Sequence, residues 1–333
     1  MKISQDWNSF YQSISLYNQE AKAFRLEACV RAKVLSPLSK AAIWVRIDNK
    51  NGDRSFFDNM MDRPIQSDTW NVYIIEGTIH KNAAVLNFGG LCMNNGEFYF
   101  TNFVLHIENK HSILEKVTIQ NPYVTGTTSQ MSIPGWQQGT ARQTPREIKE
   151  YTFQSEYSEE LGVCCLKISG SGIFEVGNDY TPQIAVLIGM LQDLGKRMIR
   201  TVQELTAQEI DYIPNENLNS ISVLITHIAA TERYYQICTF EQRKFTEAEK
   251  QVWETALGMG EKAHKTYAGY PIAHYIDIYD NVRNKTLDLF KDKSDDWLQE
   301  ISLHGNHHHH HWLHVLEHQS FHLGQMVLLK KMM

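Results

Sequence analysis

"HHHHHWLHVLEHQSFHLGQMV", His307 to Val327, decides how the second half of this 333-residue chain is read. Five consecutive histidines run directly into patterned sequence, and more follow at His314, His318 and His322. A purification tag would normally be terminal. This run instead leads into a helical pattern from about Asn306 to Lys331, and is read as native. An α-helix turns about 100° per residue. His307, His311, His314, His318 and His322 therefore share one stripe, while His308, His309 and His310 are expected to point elsewhere. Imidazoles at i and i+4 are stacked neighbours, so His318 and His322 can converge on one divalent ion. Chance is the competing explanation in a chain with 15 histidines. The HExxH zinc-protease pattern is absent, because Gln319 follows His318.

Working outward, three more helical patterns precede this one. "TPQIAVLIGMLQDLGKRMIRTVQEL" places Ile184, Leu187, Ile188, Leu191, Leu194, Met198 and Val202 three or four residues apart, with Thr181 as N-cap and Pro182 in the first turn. "LNSISVLITHIAATERYYQICTF" reads as a second helix, roughly Ser220 to Phe240, in which His227 sits among Val223, Leu224, Ile228 and Ala229. A buried imidazole needs a partner, either a hydrogen bond within the core or a metal. "PIAHYIDIYDNVRNKTLDLFKDK" is the third, with Ile276, Tyr279, Val282 and Leu289 on one face. Residues 241–270 then form a long crossover between helices two and three. The pattern as a whole implies a four-helix bundle.

Before residue 175 the period is two. "AFRLEACVRAKV" alternates Phe24, Leu26, Ala28, Val30, Ala32 and Val34 with mostly polar neighbours. "AAIWVRID", "WNVYIIEGTIH", "AAVLNFGG", "EFYFTNFVLHIE" and "LGVCCLKISG" are of the same kind, separated by turns such as "NKNGD" and "NNGE". Short strands at short intervals imply an antiparallel β-sandwich. The period changes in "ISGSGIFEVGNDY", so the chain is expected to hold two domains, 1–174 and 175–333.

Composition narrows the function. With 42% hydrophobic residues, 21% charged residues and a net charge of -6, the chain can build a globular core and carries no long basic run. A nucleic-acid or anionic-membrane binder is not expected. No signal-like apolar segment or membrane-length stretch is read. Cys29, Cys92, Cys164, Cys165 and Cys238 are odd in number and lack CxxC spacing, which implies reduced thiols and a cytoplasmic setting.

Residues Thr181 to Lys331 resemble the DinB-like family of metal-binding four-helix bundles, relatives of bacterial thiol-dependent transferases and isomerases. "LITHIAATERYYQ" and "WLHVLEHQSFHLGQM" carry the resemblance. It implies His227, His318 and His322 as ligands of one divalent ion. The family usually has Arg where Leu323 stands, so a contact made by that Arg is lost, while Gly324 and Gln325 are kept. "WNVYIIEGTIHKNAAVLNFGGLCMNNGEFYFTNFVLHIE" is similar to jelly-roll modules of the carbohydrate-binding kind. Trp44, Trp70, Tyr99 and Trp136 could then stack on a sugar, against the commoner role of sandwich aromatics as core.

Three neutral imidazoles would leave zinc or nickel with its full charge and an open position, the arrangement of catalytic sites. A low-molecular-weight thiol or a water there would be acidified. A thiol-linked transferase or isomerase, or a hydrolase, is therefore expected, acting on a small molecule that the sequence does not identify. The alternative is a non-catalytic metal-binding or small-molecule-sensing protein with the sandwich as recognition module. His314, Gln325 and Glu232 are candidates for supporting the ligands. Glu232, Tyr234 and Glu317 are candidates for proton handling, with Glu317 better read as solvated. No catalytic side chain is assigned. The sandwich is expected to pack, cover substrate or oligomerise, the last implying a homodimer.

Overall fold

The protein is described by a computed structural model covering residues 2–17, 20–126, 133–140, 147–177, 179–215 and 217–333. The chain divides into two compact units, Met1–Ile173 and Phe174–Met333. Asn178, in the stretch where the period changes, lies outside the described residues.

The first unit is built from strands β1 (Lys2–Ile3), β2 (Trp7–Ser15), β3 (Lys22–Val34), β4 (Lys40–Asn49), β5 (Arg54–Asp58), β6 (Asn71–Ile79), β7 (Ala83–Met93), β8 (Gly96–Glu108), β9 (Leu114–Val117), β10 (Gln137–Gln138), β11 (Glu147–Ile148), β12 (Tyr151–Ser158) and β13 (Val163–Gly170). One antiparallel sheet has the order β10-β2-β7-β4-β5, and a second has β12-β13-β8-β3-β6 with β9 on β8. The short β1–β11 pair is parallel. Alternation in β3 does what its period predicts: Phe24, Leu26, Ala28, Val30 and Ala32 are buried. They share one hydrophobic cluster with Phe10, Ile43, Val45 and Phe88 of the facing sheet, which makes the unit a sandwich. The "FGG" motif has a packing reason. A Cβ on Gly89 would lie 1.8 Å from the Phe10 carbonyl oxygen, so β2 and β7 could not close.

The second unit contains seven α-helices among its described residues: α1 (Pro182–Val202), α2 (Ala207–Ile210), α3 (Ile221–Gln236), α4 (Glu247–Gly258), α5 (Gly260–Tyr267), α6 (Ile272–Lys291) and α7 (His308–Met332). A π-helical turn, Ile237–Glu241, extends α3, and a 3-10 turn, Asp296–Gln299, precedes α7. The long helices contact one another in a closed cycle, α1 with α7, α7 with α3, α3 with α6 and α6 with α1. Segment 241–270, read from the sequence as a crossover, contains α4 and α5. Thr181 has the extended N-cap conformation but makes no side-chain cap to α1. Asp295 serves instead, accepting from the Gln183 and Ile184 N–H groups at 3.0 and 3.3 Å.

The inward face of α6 also differs from its apolar pattern. Tyr279 and Val282 are buried, but so are Arg283 and Thr286, while Ile276 and Leu289 are half-buried. Arg283 faces inward because Glu232 meets it there. Its Nε and Nη2 donate to the two Glu232 carboxylate oxygens at 2.9 and 2.8 Å, and Nη2 also donates to Gln319 Oε1 at 2.8 Å. The Leu191 carbonyl of α1 accepts from Nη1. One buried network thus ties all four long helices. No helix is long and apolar enough to cross a membrane among the described residues. All five cysteines are free.

Candidate metal centre

His227 faces inward from the middle of α3, and His318 and His322 face it from successive turns of α7. The His318 Nε2 lies 2.9 Å from His227 Nε2 and 3.1 Å from His322 Nε2. One ligand atom from each of the three residues lies within 4.8 Å of the others. His227 and His322 are 7% and 5% exposed, while His318 is half-buried. His318 is therefore the least buried of the three.

The outer nitrogens fix the tautomers. His227 Nδ1 lies 2.9 Å from the Ala256 carbonyl oxygen of α4, which can only accept, so this nitrogen carries the proton. His322 Nδ1 donates to Gln325 Oε1 at 2.8 Å. In the neutral rings both Nε2 atoms are then bare lone pairs. His318 Nε2 touches both and could donate a single proton to only one. The other close pair would set one lone pair against another. Protonating the cluster is opposed as well. Burial, then the charges of His322, His227 and His314, push His318 down to about 3. Burial also lowers His227, with the Ala256 hydrogen bond opposing, and lowers His322, with Gln325 opposing. A divalent cation resolves the conflict. Nitrogens bound tetrahedrally at about 2.0–2.1 Å from zinc sit about 3.3 Å apart, close to the two separations here. The donor set fits zinc and nickel equally, since imidazole suits both.

Two supports for the triad lie far from it in sequence. Ala256 is positioned because α4 is anchored at its start. Thr246 and Glu249 form a reciprocal capping box, and Glu249 also accepts from Arg233 of α3 at 3.2 Å. Gln319 turns away from the triad into the buried network, where its amide donates to Tyr279 Oη at 2.9 Å and its oxygen takes Arg283. The orienting carbonyl and the buried arginine carry no sequence signal, because both act through tertiary contact.

The remaining candidates are distributed as follows. Gln325 is on His322, as given above. His314 is exposed, with its ring 5.7 Å from His318 and 5.6 Å from Tyr235. Glu232 is not a free carboxylate beside the metal site. It is fully buried and held by Arg283 and by the Thr286 hydroxyl at 2.5 Å. Tyr234 shares a hydrogen bond of 3.0 Å with His304. Glu317 is exposed. Leu323, in the place of the family's Arg, is a core residue 6% exposed.

The histidine run has a structural part. His308, expected to point away from the histidine stripe, is 1% exposed and packs its ring 4.0 Å from that of Trp297. His307, His308 and His309 donate from Nδ1 to three carbonyls of the preceding 3-10 turn, those of Gln299, Trp297 and Leu298. His308 Nε2 accepts from the Gln242 amide at 2.9 Å. His311 is buried and bonded to Ser302 at 2.6 Å. These rings clasp the turn to α7.

The sandwich aromatics do not form one open platform. Trp136 is core, 7% exposed, with its ring against Phe10, Phe88 and Phe103. Trp70 meets buried Tyr99 edge-on at 6.1 Å. Trp44 is 5% exposed and donates from Nε1 to Ser9 Oγ at 3.0 Å. It lines a cavity of about 310 Å³ with Trp7, Arg46, Phe57 and Met61.

Residues 186–333 match the family model described as mycothiol-S-transferase, a DinB-like family. A curated relative from Bacillus subtilis (strain 168), described as the uncharacterized HTH-type transcriptional regulator YbfP, is 33% identical over 84 residues. The match is 25% of this chain and 28% of the relative, so the chain spans just over a quarter of that protein's length. Two solved structures are similar to parts of this chain. A conserved protein from Enterococcus faecalis aligns with 44% of this chain and 94% of its own at 13% identity and a TM-score of 0.36. The CBM22-1 xylan-binding domain of Paenibacillus barcinonensis Xyn10C aligns with 26% of this chain and 61% of its own at 12% identity and a TM-score of 0.18.

Proposed function

We propose that the second unit is a metal-dependent thiol transferase in which His227, His318 and His322 hold one zinc or nickel ion with a position left open. The observation that carries this is the convergence of three Nε2 atoms, two of them held as bare acceptors by Ala256 and Gln325. The family match over residues 186–333 supports thiol transfer over hydrolysis. A bound ion would supply Lewis acidity, lowering the pKa of a low-molecular-weight thiol that occupies the open position. The protein's own part is geometric. Ala256 and Gln325 hold two rings in one tautomer, and the buried Arg283–Gln319 contact sets the rotation of α7. We read the long helices as a four-helix bundle, the sandwich as a jelly roll, and the units as domains 1–174 and 175–333. A second reading, ligand sensing through the sandwich, draws on the Trp44 cavity.

Titration of the cobalt-substituted protein with small thiols tests the proposal. A sulfur-to-cobalt charge-transfer band is expected. If thiols, azide and pH all leave the visible spectrum unchanged, the coordination sphere is closed and the transferase reading falls.

A further inference from the structure

Most of the histidines before the triad are already occupied. His304, His307, His308, His309 and His311 each have a ring nitrogen in a hydrogen bond. His310 and His314 have none among the described residues, and both are exposed on α7. They are also four residues apart. With His318 and His322 they complete an i+4 ladder, 310-314-318-322, whose last two members belong to the triad. The sequence reading put His310 off the histidine stripe. The ladder places it one turn before His314.

We propose that His310 and His314 form a surface capture site for a divalent cation and pass the ion to the triad. This rests on the metal reading of His227, His318 and His322. Side chains one turn apart have Cβ atoms about 5–6 Å apart, within reach of one ion between two imidazoles. The inner neighbour is in place, with the His314 ring 5.7 Å from that of His318 and inclined by 34°. His318 is also the least buried member of the triad, half-buried where His227 and His322 are buried. The proposed route for an ion from solvent therefore runs from exposed His314 to half-buried His318.

The transfer is ligand exchange without redox. Two waters leave a hydrated ion as the lone pairs of His310 and His314 bind. His318 Nε2 then displaces His310, and His227 with His322 displace His314 and further water. The ion keeps its charge throughout. Each exchange leads toward the site with more nitrogen donors, so the direction is downhill.

Loading of the full-length apoprotein with cobalt(II) chloride tests this. His310→Asn with His314→Asn changes only exposed side chains. It should slow the appearance of the triad's cobalt spectrum about tenfold at sub-stoichiometric metal, because ion is no longer concentrated beside the site. Equilibrium affinity of the triad should change less than about twofold, since neither side chain hydrogen-bonds a triad ligand among the described residues, the kind of support whose loss costs more. A weak second equivalent, seen with excess cobalt, should be lost. His307→Asn with His309→Asn, which alters the clasp instead, should leave the loading rate unchanged. An unchanged rate in the first variant overturns the proposal. So does an equal fall in rate and affinity, which would make the pair part of the tight site. His318→Asn with His322→Asn separates the underlying reading: if tight binding survives it, the triad assignment itself has failed.

Discussion

Two buried polar clusters share α3 and α7, and they are built on opposite rules. At Glu232 the carboxylate meets the Arg283 fork, the Thr286 hydroxyl and, through Arg283, the Gln319 amide. Charges are paired and donors face acceptors. At His227, three like groups converge with more lone pairs than protons. The first cluster is complete without any addition, and the second leaves lone pairs that a cation would satisfy. This contrast teaches that a buried polar group alone does not mark function. What marks it is a set of acceptors aimed at one point and fixed there from behind.

The largest expected effect tests the complete cluster. Arg283→Met leaves Glu232 buried without its partner and should cost about 3–5 kcal/mol of apoprotein stability. Denaturant unfolding measures it. The double change Glu232→Leu with Arg283→Met should recover much of the loss, because no lone charge then remains. Failure to recover would mean that the network holds the helices by shape more than by charge.

His318→Ala should behave in the opposite way. Apoprotein stability should change little, while the stabilisation conferred by added zinc, about 4 kcal/mol at a free concentration a thousandfold above Kd, should vanish. Thermal melts with and without zinc distinguish the cases. If the apoprotein collapses instead, the imidazoles are core groups satisfied by one another.

Gln325→Ala removes the acceptor that orients His322. Metal affinity should fall about 10- to 100-fold, as measured by competition with a chelator, with stoichiometry still one ion per chain. An unchanged affinity would reduce Gln325 to a packed amide.

The pH dependence tests the burial of the neutral imidazoles. His227, His318 and His322 are lowered in the fold, His318 to about 3, all chiefly by burial, and burial with the neighbouring histidines takes His311 to about 4. Below the ordinary histidine pKa of about 6.5 the unfolded chain then binds more protons than the folded one. Apoprotein stability should therefore be full above that pH and decline as pH falls toward 4 and 3. Unfolding midpoints across that window measure it, and a midpoint that rises on acidification would contradict the burial of neutral imidazoles.

Helical spacing brought His318 and His322 together, and the resemblance added His227, because i and i+4 fix neighbours without tertiary knowledge. Alternation likewise exposed the β3 core face. What could not be read were partners remote in sequence: Ala256 behind His227, Asp295 capping α1, and Arg283 turning a polar residue into the core. Trp136 shows the same limit within the sandwich, since its packing against Phe10 and Phe103 depends on which strands face each other. The packing of His308 was not legible because its carbonyl partner belongs to a turn that no periodicity announces.

X-ray absorption at the zinc edge, on the full chain and on His318→Ala with His322→Ala, tests the central claim most directly. The histidine run from His307 to His311 stays intact in both. The account predicts one tightly held ion per chain with three imidazole nitrogens, lost in the variant. The same stoichiometry, affinity and spectrum in both proteins would contradict it.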